Sequence, residues 1–238
     1  MLEEHTQQQL FWYGTYEKQV GDLLKDLVRS GDVFLDVGAN IGYYSLLIAN
    51  KEPGSTVIAF EPVGIIFKKL KENIALNNFK NIQAMNVAVG EFNEVKVLYL
   101  SAKDNLGMSS LHQPENFSGK YEKVKVFRID DWFRQSGLPG INIIKMDIEG
   151  SELFALKGMK MVLQKFKPLL IVEINPETLS SFQVKPEEVI SFLTEHSFTV
   201  FVISESGKLL PLTAGQITHP CNALFVPDRK STRLNSSH

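Results

Sequence analysis

The sequence predicts an α/β protein built on a parallel sheet with helices on both faces. Three observations predict it. Short, near-continuous apolar runs alternate with helix-periodic segments from about Val33 to Gly90, and strands that are apolar along their whole length are those of a parallel sheet covered on both sides. The first of them, "VFLDV", passes through an acid and a glycine turn, "DVGANIG", straight into an apolar helical run. A later run of the same style, "INIIKMD", opens onto a second glycine turn, "IEGSE". The crossovers in such a sheet are expected to be right-handed.

In chain order, "GTYEKQVGDLLKDLVRSGD" reads as a helix. Val20, Leu23, Leu24 and Leu27 share one face, and Gly31 ends it. "VFLDVG" is a short buried strand, and "GYYSLLIANK" is a helix stopped before the turn signal "EPGS". "TVIAFEP" is the next strand, closed by Pro62. "IIFKKLKENIALNN" is an amphipathic helix with Ile66, Leu70, Ile74 and Leu76 toward the core. "IQAMNVAVG" reads as the third strand. "VKVLYLS" and "KVKVFRID" alternate and predict an antiparallel pair carrying the long polar stretch "AKDNLGMSSLHQPENFSGKYE", a loop long enough to be either disordered or functional. "INIIKMD" is a buried strand, "SELFALKGMKMVLQK" a helix and "PLLIVEIN" a strand. "PEEVISFLTEHSF" is a helix opened by Pro186 and two acids. "TVFVIS" and "NALFVP" close the pattern as an antiparallel pair, since their connection is too short for a crossover helix.

With 238 residues, 44% of them hydrophobic, the chain suits one large domain with a sizeable core. Residues 1–30 read as a helical segment packing on the domain, 31–228 as the domain, and 229–238 as an unfolded tail with the look of a sequence not native to the gene. The formal charge, 25 − 27 = −2, gives no electrostatic case for nucleic acid or a membrane surface as partner. A single cysteine, Cys221, excludes an internal disulfide framework and a multi-thiolate metal site. "MLEEHTQQQLFWYG" is too polar for a signal peptide, and no apolar run approaches the ~20 residues of a membrane span. The expected location is cytoplasmic.

In an open parallel sheet the ligand sits at the carboxyl ends of the strands, where strand order reverses. Here the first turn reads Asp36-Val37-Gly38-Ala39-Asn40-Ile41-Gly42. It lacks the Lys-Ser/Thr pair of a phosphate-clamping loop. It also departs from the dinucleotide pattern, because an acid stands where that pattern has its first glycine. An acid there repels a pyrophosphate and suits a cationic group such as the α-amino group of a methionine moiety, while Gly38 permits close approach to the backbone. Glu61, at the end of the second strand, suits the two hydroxyls of a ribose. S-adenosylmethionine satisfies all three features, NAD only the last two. At the third strand end, Asn86 offers an amide to an adenine edge, and Val87 and Ala88 offer small apolar faces. Core packing is the competing role for the last two.

A second cluster surrounds "IIKMDIEGSE". Gly150 allows the sharp turn, Ser151 is placed to cap the next helix, and Glu152 falls in its first turn. Asp147 and Glu149 are candidates for binding substrate or accepting a proton, because like charges in a cleft cost energy unless something compensates. Lys145 is placed to neutralise one of them, as a substrate-side residue or a supporting ion pair. Glu173 and Asn175 end the next strand on the same rim, also on the substrate side. An oxygen-only cluster of carboxylates is a weak signal for a divalent cation, and no metal site is assigned. His112, in the long loop, is the histidine best placed to reach a cleft.

With these residues in place the chain resembles the FkbM family of class I S-adenosylmethionine-dependent methyltransferases, from "GTYE" at Gly14 to "NALF" near Phe225. The carriers are "DVGANIGYYSLLIA", "AFEP", "NVAVG", "MSSL", "RIDDW" and above all "IKMDIEGSE". The resemblance implies a Rossmann-like class I methyltransferase fold, a seven-stranded mostly parallel sheet with its last strand antiparallel. It also implies O-methylation of a hydroxyl on a small molecule, a sugar or a natural product. It assigns Asp36, Gly38, Asn40, Gly42, Glu61 and Pro62 to the cofactor, together with the neighbouring Ala39. Asp147 and Glu149 fall to the cleft floor beside the methyl group, and the loop around "NLGMSSL" to a lid. The general base is expected to be Asp147 or Glu149, with His112 as the outsider. Two other classes stand as alternatives, an NAD(P)-dependent oxidoreductase and a non-catalytic cofactor-binding module.

Overall fold

The computed structural model describes residues 5–101, 106–114, 117, 119–212 and 217–228. The elements are α1 (His5–Tyr13), α2 (Lys18–Leu27), β1 (Val33–Val37), α3 (Tyr43–Lys51), β2 (Thr56–Phe60), α4 (Gly64–Leu76), β3 (Ile82–Met85), β4 (Ala88–Val89), β5 (Glu94–Tyr99) and β6 (Tyr121–Phe127). They continue with α5 (Ile129–Ser136), β7 (Ile143–Met146), α6 (Glu152–Lys157), α7 (Lys160–Phe166), β8 (Leu169–Ile174), α8 (Pro176–Ser181), α9 (Pro186–Glu195), β9 (Phe198–Ile203), β10 (Leu209–Pro211) and β11 (Cys221–Pro227). The expected tail, 229–238, lies outside the described residues.

The main sheet runs β10-β9-β11-β8-β7-β1-β2-β3. β1 lies between β2 and β7, parallel to both, and β11 lies antiparallel between β8 and β9. The expected parallel sheet with an antiparallel last strand is therefore present. Among the described residues it has eight strands rather than seven, because the short β10 pairs with β9 at the edge. All five residues of β1 are buried, as a strand covered on both faces requires. Their side chains alternate. Val33, Leu35 and Val37 pack toward α5, α6, α7 and α9, while Phe34 packs toward α2 and α3. The chain runs outward from β1 to β2 and β3, then returns to β7 on the other side of β1. Strand order reverses there, which is where such sheets hold ligands.

Several elements differ from the sequence reading. The run "IQAMNVAVG" is two strands. The Asn86 amide donates to the carbonyls of Glu61 and Pro62, both at 2.9 Å, and turns the chain out of the main sheet. Ala88–Val89 then joins a second sheet, β4-β6-β5, in which β5 and β6 form the expected antiparallel pair. The strand read through Asp130 ends at Phe127, because Asp130 enters α5 and accepts from the amides of Met161 and Val162, both at 3.0 Å. Those bonds start α7 afresh, so "SELFALKGMKMVLQK" is two helices. They part at Gly158, where a Cβ would lie 2.0 Å from the Gly90 carbonyl. Leu76, expected in the core, is exposed at the last turn of α4, and only Ile66 and Leu70 of that helix are fully buried.

Candidate active site

The turn after β1 is built by backbone geometry. Gly38 has φ +81, and a Cβ there would lie 1.8 Å from the Asp147 carbonyl at the end of β7. Gly38 and Ala39 donate to the Phe60 carbonyl at 3.0 and 2.9 Å, joining the ends of β1 and β2. Asn40, at φ +50, donates its amide to Glu61 Oε2 at 2.8 Å, and Val63 donates to Oε1 at 2.8 Å. The Glu61 carboxylate is thus buried and held by two backbone amides.

These residues line one cleft. At its β2 side stand Glu61, Pro62 and Val63, with Val87, Ala88 and Leu98 opposite. Ala39 and Asn40 floor its centre. At its β7 side stand Lys145, Asp147, Ile148 and Glu149, and beside them Tyr16, Tyr43 and Tyr44. From the long loop, Gly107, Met108, Ser109 and Leu111 also line the cleft. Ser110 anchors the loop, pairing with Tyr99 through backbone bonds of 2.9 and 3.1 Å and donating its hydroxyl to the Glu149 carbonyl at 3.4 Å.

The β7 side is an electrostatic cluster. Lys145 is 2% exposed, bonds Asp147 Oδ2 at 2.9 Å, and lies 4.9 Å above the Tyr44 ring. Burial opposes its charge, but Asp147, Glu17 and Asp36 outweigh burial and hold the ammonium above the usual lysine range. Burial likewise opposes the Asp147 charge, and Lys145 overrides it, holding Asp147 below the usual carboxylate range. Burial first and then the Asp147 charge push the Glu173 carboxyl up to about 10. Burial, with Asp147 and Glu152 adding to it, pushes Glu149 up to about 8. Its turn is strained. Glu149 has φ +54 and Gly150 φ +99, and Glu152 reaches back to accept from the amides of Ile148 and Gly150 at 3.0 and 3.2 Å.

Some expected site residues are placed elsewhere. Asp36 is fully buried beneath the floor. It lies on the Phe34 face of β1, accepts from Ser45 Oγ at 2.6 Å, and does not line the cleft. Burial raises its carboxyl above the usual range, with Lys145 and Ser45 opposing. Gly42 packs under α4, where a Cβ would lie 2.5 Å from Leu70. Asn86 braces the strand end rather than facing the cleft. His112 packs at a tilt against Phe182, ring centroids 5.5 Å apart, outside the lining. Asn175 caps α8, accepting from the Glu177 amide at 3.0 Å. Glu173 does not line the cleft and acts on it through its charge interactions with Asp147, Lys145 and Glu149. Ser151 makes no helix cap and instead donates to the Ile148 carbonyl at 3.0 Å.

Sequence reasoning gave no role to Tyr16, Glu17, Tyr43 or Tyr44. Glu17 Oε2 accepts from Tyr44 at 2.6 Å, and its Oε1 accepts from Asn222 Nδ2 at 2.9 Å. "GTYE" was the available signal, but the partner lies 205 residues away.

A fold with this strand order and a cleft at the reversal defines a class I methyltransferase-like protein. Streptococcus mutans SMU.1697c, solved in complex with SAH, shares the fold at a TM-score of 0.52 and 13% identity, covering 88% of this chain and 96% of that one. The sequence model of the Methyltransferase FkbM domain matches residues 36–200. The chain belongs to the FkbM methyltransferase family. It is 29% identical over 160 residues to methyltransferase sdnD of Sordaria araneosa, covering 55% of this chain and 61% of that protein. It is 26% identical over 218 residues to 31-O-demethyl-FK506 methyltransferase FkbM of Streptomyces tacrolimicus, covering 81% and 80%. The chain thus spans about three fifths of the length of the Sordaria protein. Among the described residues no helix is long and apolar enough to cross a membrane.

Proposed function

We propose that the protein methylates a hydroxyl oxygen of a small-molecule or carbohydrate acceptor, using S-adenosylmethionine. The observation that supports this best is the asymmetry of the cleft. One side offers a carboxylate fixed by two backbone amides beside small apolar side chains, and the other offers an acid of raised proton affinity. The residues fit the cofactor. Glu61 suits two vicinal ribose hydroxyls, Val63, Val87, Ala88 and Leu98 suit the faces of an adenine, and Gly38 leaves the strand end free of a side chain. When bound, the cofactor supplies a sulfonium methyl; the new C–O bond forms as the C–S bond breaks, leaving a thioether.

The chain's own residues position the acceptor, exclude water and take its proton. Asp147 is a poor base, since Lys145 and Glu173 both stabilise its anion. Glu149 is the better one. It lines the cleft, among the described residues no lysine is bonded to it, and its value of about 8 lies near neutrality, where a general base works best. A cationic ligand in the cleft lowers that value and so favours the charged carboxylate.

The relative from Streptomyces tacrolimicus is named for O-methylation of 31-O-demethyl-FK506, which supports a hydroxyl acceptor. The test is calorimetric titration with S-adenosylmethionine and S-adenosylhomocysteine, followed by radiolabelled methyl transfer to a panel of hydroxylated metabolites and sugars. One-to-one binding and label in an ether product are expected. Folded protein that binds neither compound sinks the proposal.

A further inference from the structure

The segment before β1 enters the cleft where the proposed chemistry takes place. Thr15 Oγ1 bonds the Tyr43 hydroxyl at 3.0 Å. Tyr16 lines the cleft, its ring edge-on to Tyr43 and Tyr44 at centroid distances of 6.0 and 6.3 Å. Glu17 sits at φ +38, a left-handed conformation that a non-glycine residue keeps only when its surroundings hold it there. Its carboxylate does so, spanning Tyr44 on α3 and Asn222 on β11. Tyr44 in turn stacks under the Lys145 ammonium that pairs with Asp147.

These contacts lie on the β7 side of β1. The adenosine-type features, Glu61, Val87 and Ala88, lie on the β2 side. We infer that Tyr16 is an acceptor-facing wall of the cleft and that Glu17 is a positioning residue, latching the Thr15–Glu17 turn across the acceptor end and leaving the cofactor end untouched. This rests on the methyl-transfer reading. It adds that the segment ahead of the sheet, rather than the sheet itself, shapes what the protein methylates. The wall presents aromatic faces and a phenol beside carboxylates, a surface suited to a polyhydroxylated or ring-bearing acceptor.

Single-cysteine labelling tests it without a known acceptor. In a Cys221→Ser background, Tyr16→Cys and Val87→Cys are reacted with a maleimide, with and without saturating S-adenosylhomocysteine. If Tyr16 faces the acceptor end, the ligand protects position 87 strongly and changes labelling at position 16 by no more than about twofold, the scatter expected of independent sites. Protein labelled at position 16 still binds S-adenosylhomocysteine. Adding Glu17→Gln raises the labelling rate at position 16 about tenfold, the effect of weakening one hydrogen bond to a charged group, at unchanged S-adenosylhomocysteine affinity. Tyr43→Cys carries the same test should Tyr16→Cys not fold. Protection at position 16 equal to that at 87, or loss of ligand binding on labelling there, overturns the acceptor wall. An unchanged rate with Glu17→Gln overturns the latch. Wild-type protein that binds no S-adenosylhomocysteine overturns the methyl-transfer reading instead.

Discussion

Glu149→Gln is expected to make the ligand-free protein more stable while removing its activity, and the size of the gain should depend on pH. Burial first, then Asp147 and Glu152, raise the Glu149 carboxyl from the usual 4.5 to about 8. Between those values the folded state holds a proton that the unfolded state does not. Stability from this group is therefore complete below about pH 4.5 and is lost as pH rises toward 8. At about 1.4 kcal/mol per pH unit the full loss is on the order of 5 kcal/mol. Glu149 is only partly buried, and water reaching its carboxylate reduces this to about 2 kcal/mol. Glutamine keeps the shape and never ionises. Urea midpoints at constant slope should coincide for the two proteins at pH 5 and differ by about 2 kcal/mol at pH 9, which is about 4–8 °C in Tm for a domain of this size. Turnover should fall by about 10²–10⁴. A stability difference that does not change with pH refutes the assignment of raised proton affinity, and unchanged turnover removes Glu149 as the base.

Three further outcomes follow from the same geometry. Glu61→Gln should weaken S-adenosylmethionine binding by about 10–100-fold in calorimetry, the effect of exchanging charge-assisted hydrogen bonds for neutral ones, with little change in acceptor preference. Gly38→Ala combines a left-handed backbone with a Cβ 1.8 Å from the Asp147 carbonyl. The ends of β1 and β7 must separate, so a loss of at least about 3 kcal/mol in urea unfolding and no measurable cofactor binding are expected. Lys145→Met leaves the Asp147, Glu149 and Glu173 carboxyls without their lysine. Breaking a buried pair on one side costs about 3–5 kcal/mol. Because the remaining acids can take up protons, the loss should be larger at pH 8 than at pH 5, and an equal loss at both would count against the cluster.

Much of the fold was legible because its strands are buried on both faces and its helices are bounded by glycine and proline. β1, β2, β7 and β8 follow from apolar runs alone. What escaped the sequence was decided by contacts between distant segments. Nothing local in "IQAMNVAVG" reveals that the Asn86 amide bonds the carbonyls of Glu61 and Pro62 and sends the chain to another sheet. Nothing in "LKGMKM" shows that Asp130 starts a new helix there. Asp36 is a different lesson. Its place at a strand end suggested a ligand contact, but the strand's own alternation sets it with Phe34, toward α3. Position along a strand and direction across it are separate facts, and here the second decides.

The two sides of the cleft also differ in how their charges are held, and this bears on where the chemistry lies. At Glu61 the two carboxylate oxygens each accept a backbone amide, so the charge is stabilised before any ligand arrives. On the other side, among the described residues, one lysine stands among Asp147, Glu149 and Glu173, and it is paired with Asp147. Glu149 is left to bear burial and repulsion on a turn with two successive positive φ values. A turn of that kind persists only when its surroundings over-determine it. Two contacts do so: the Glu152 carboxylate on the amides of Ile148 and Gly150, and the loop's Ser110 on the Glu149 carbonyl. The strain is held at the one acid that a proton-accepting role would single out. On the proposed reading, binding falls to the Glu61 side of β1 and reactivity to the Glu149 side, and Glu149→Gln separates the two, since it should remove the burial and repulsion that this carboxylate bears and leave the amide-held Glu61 unchanged.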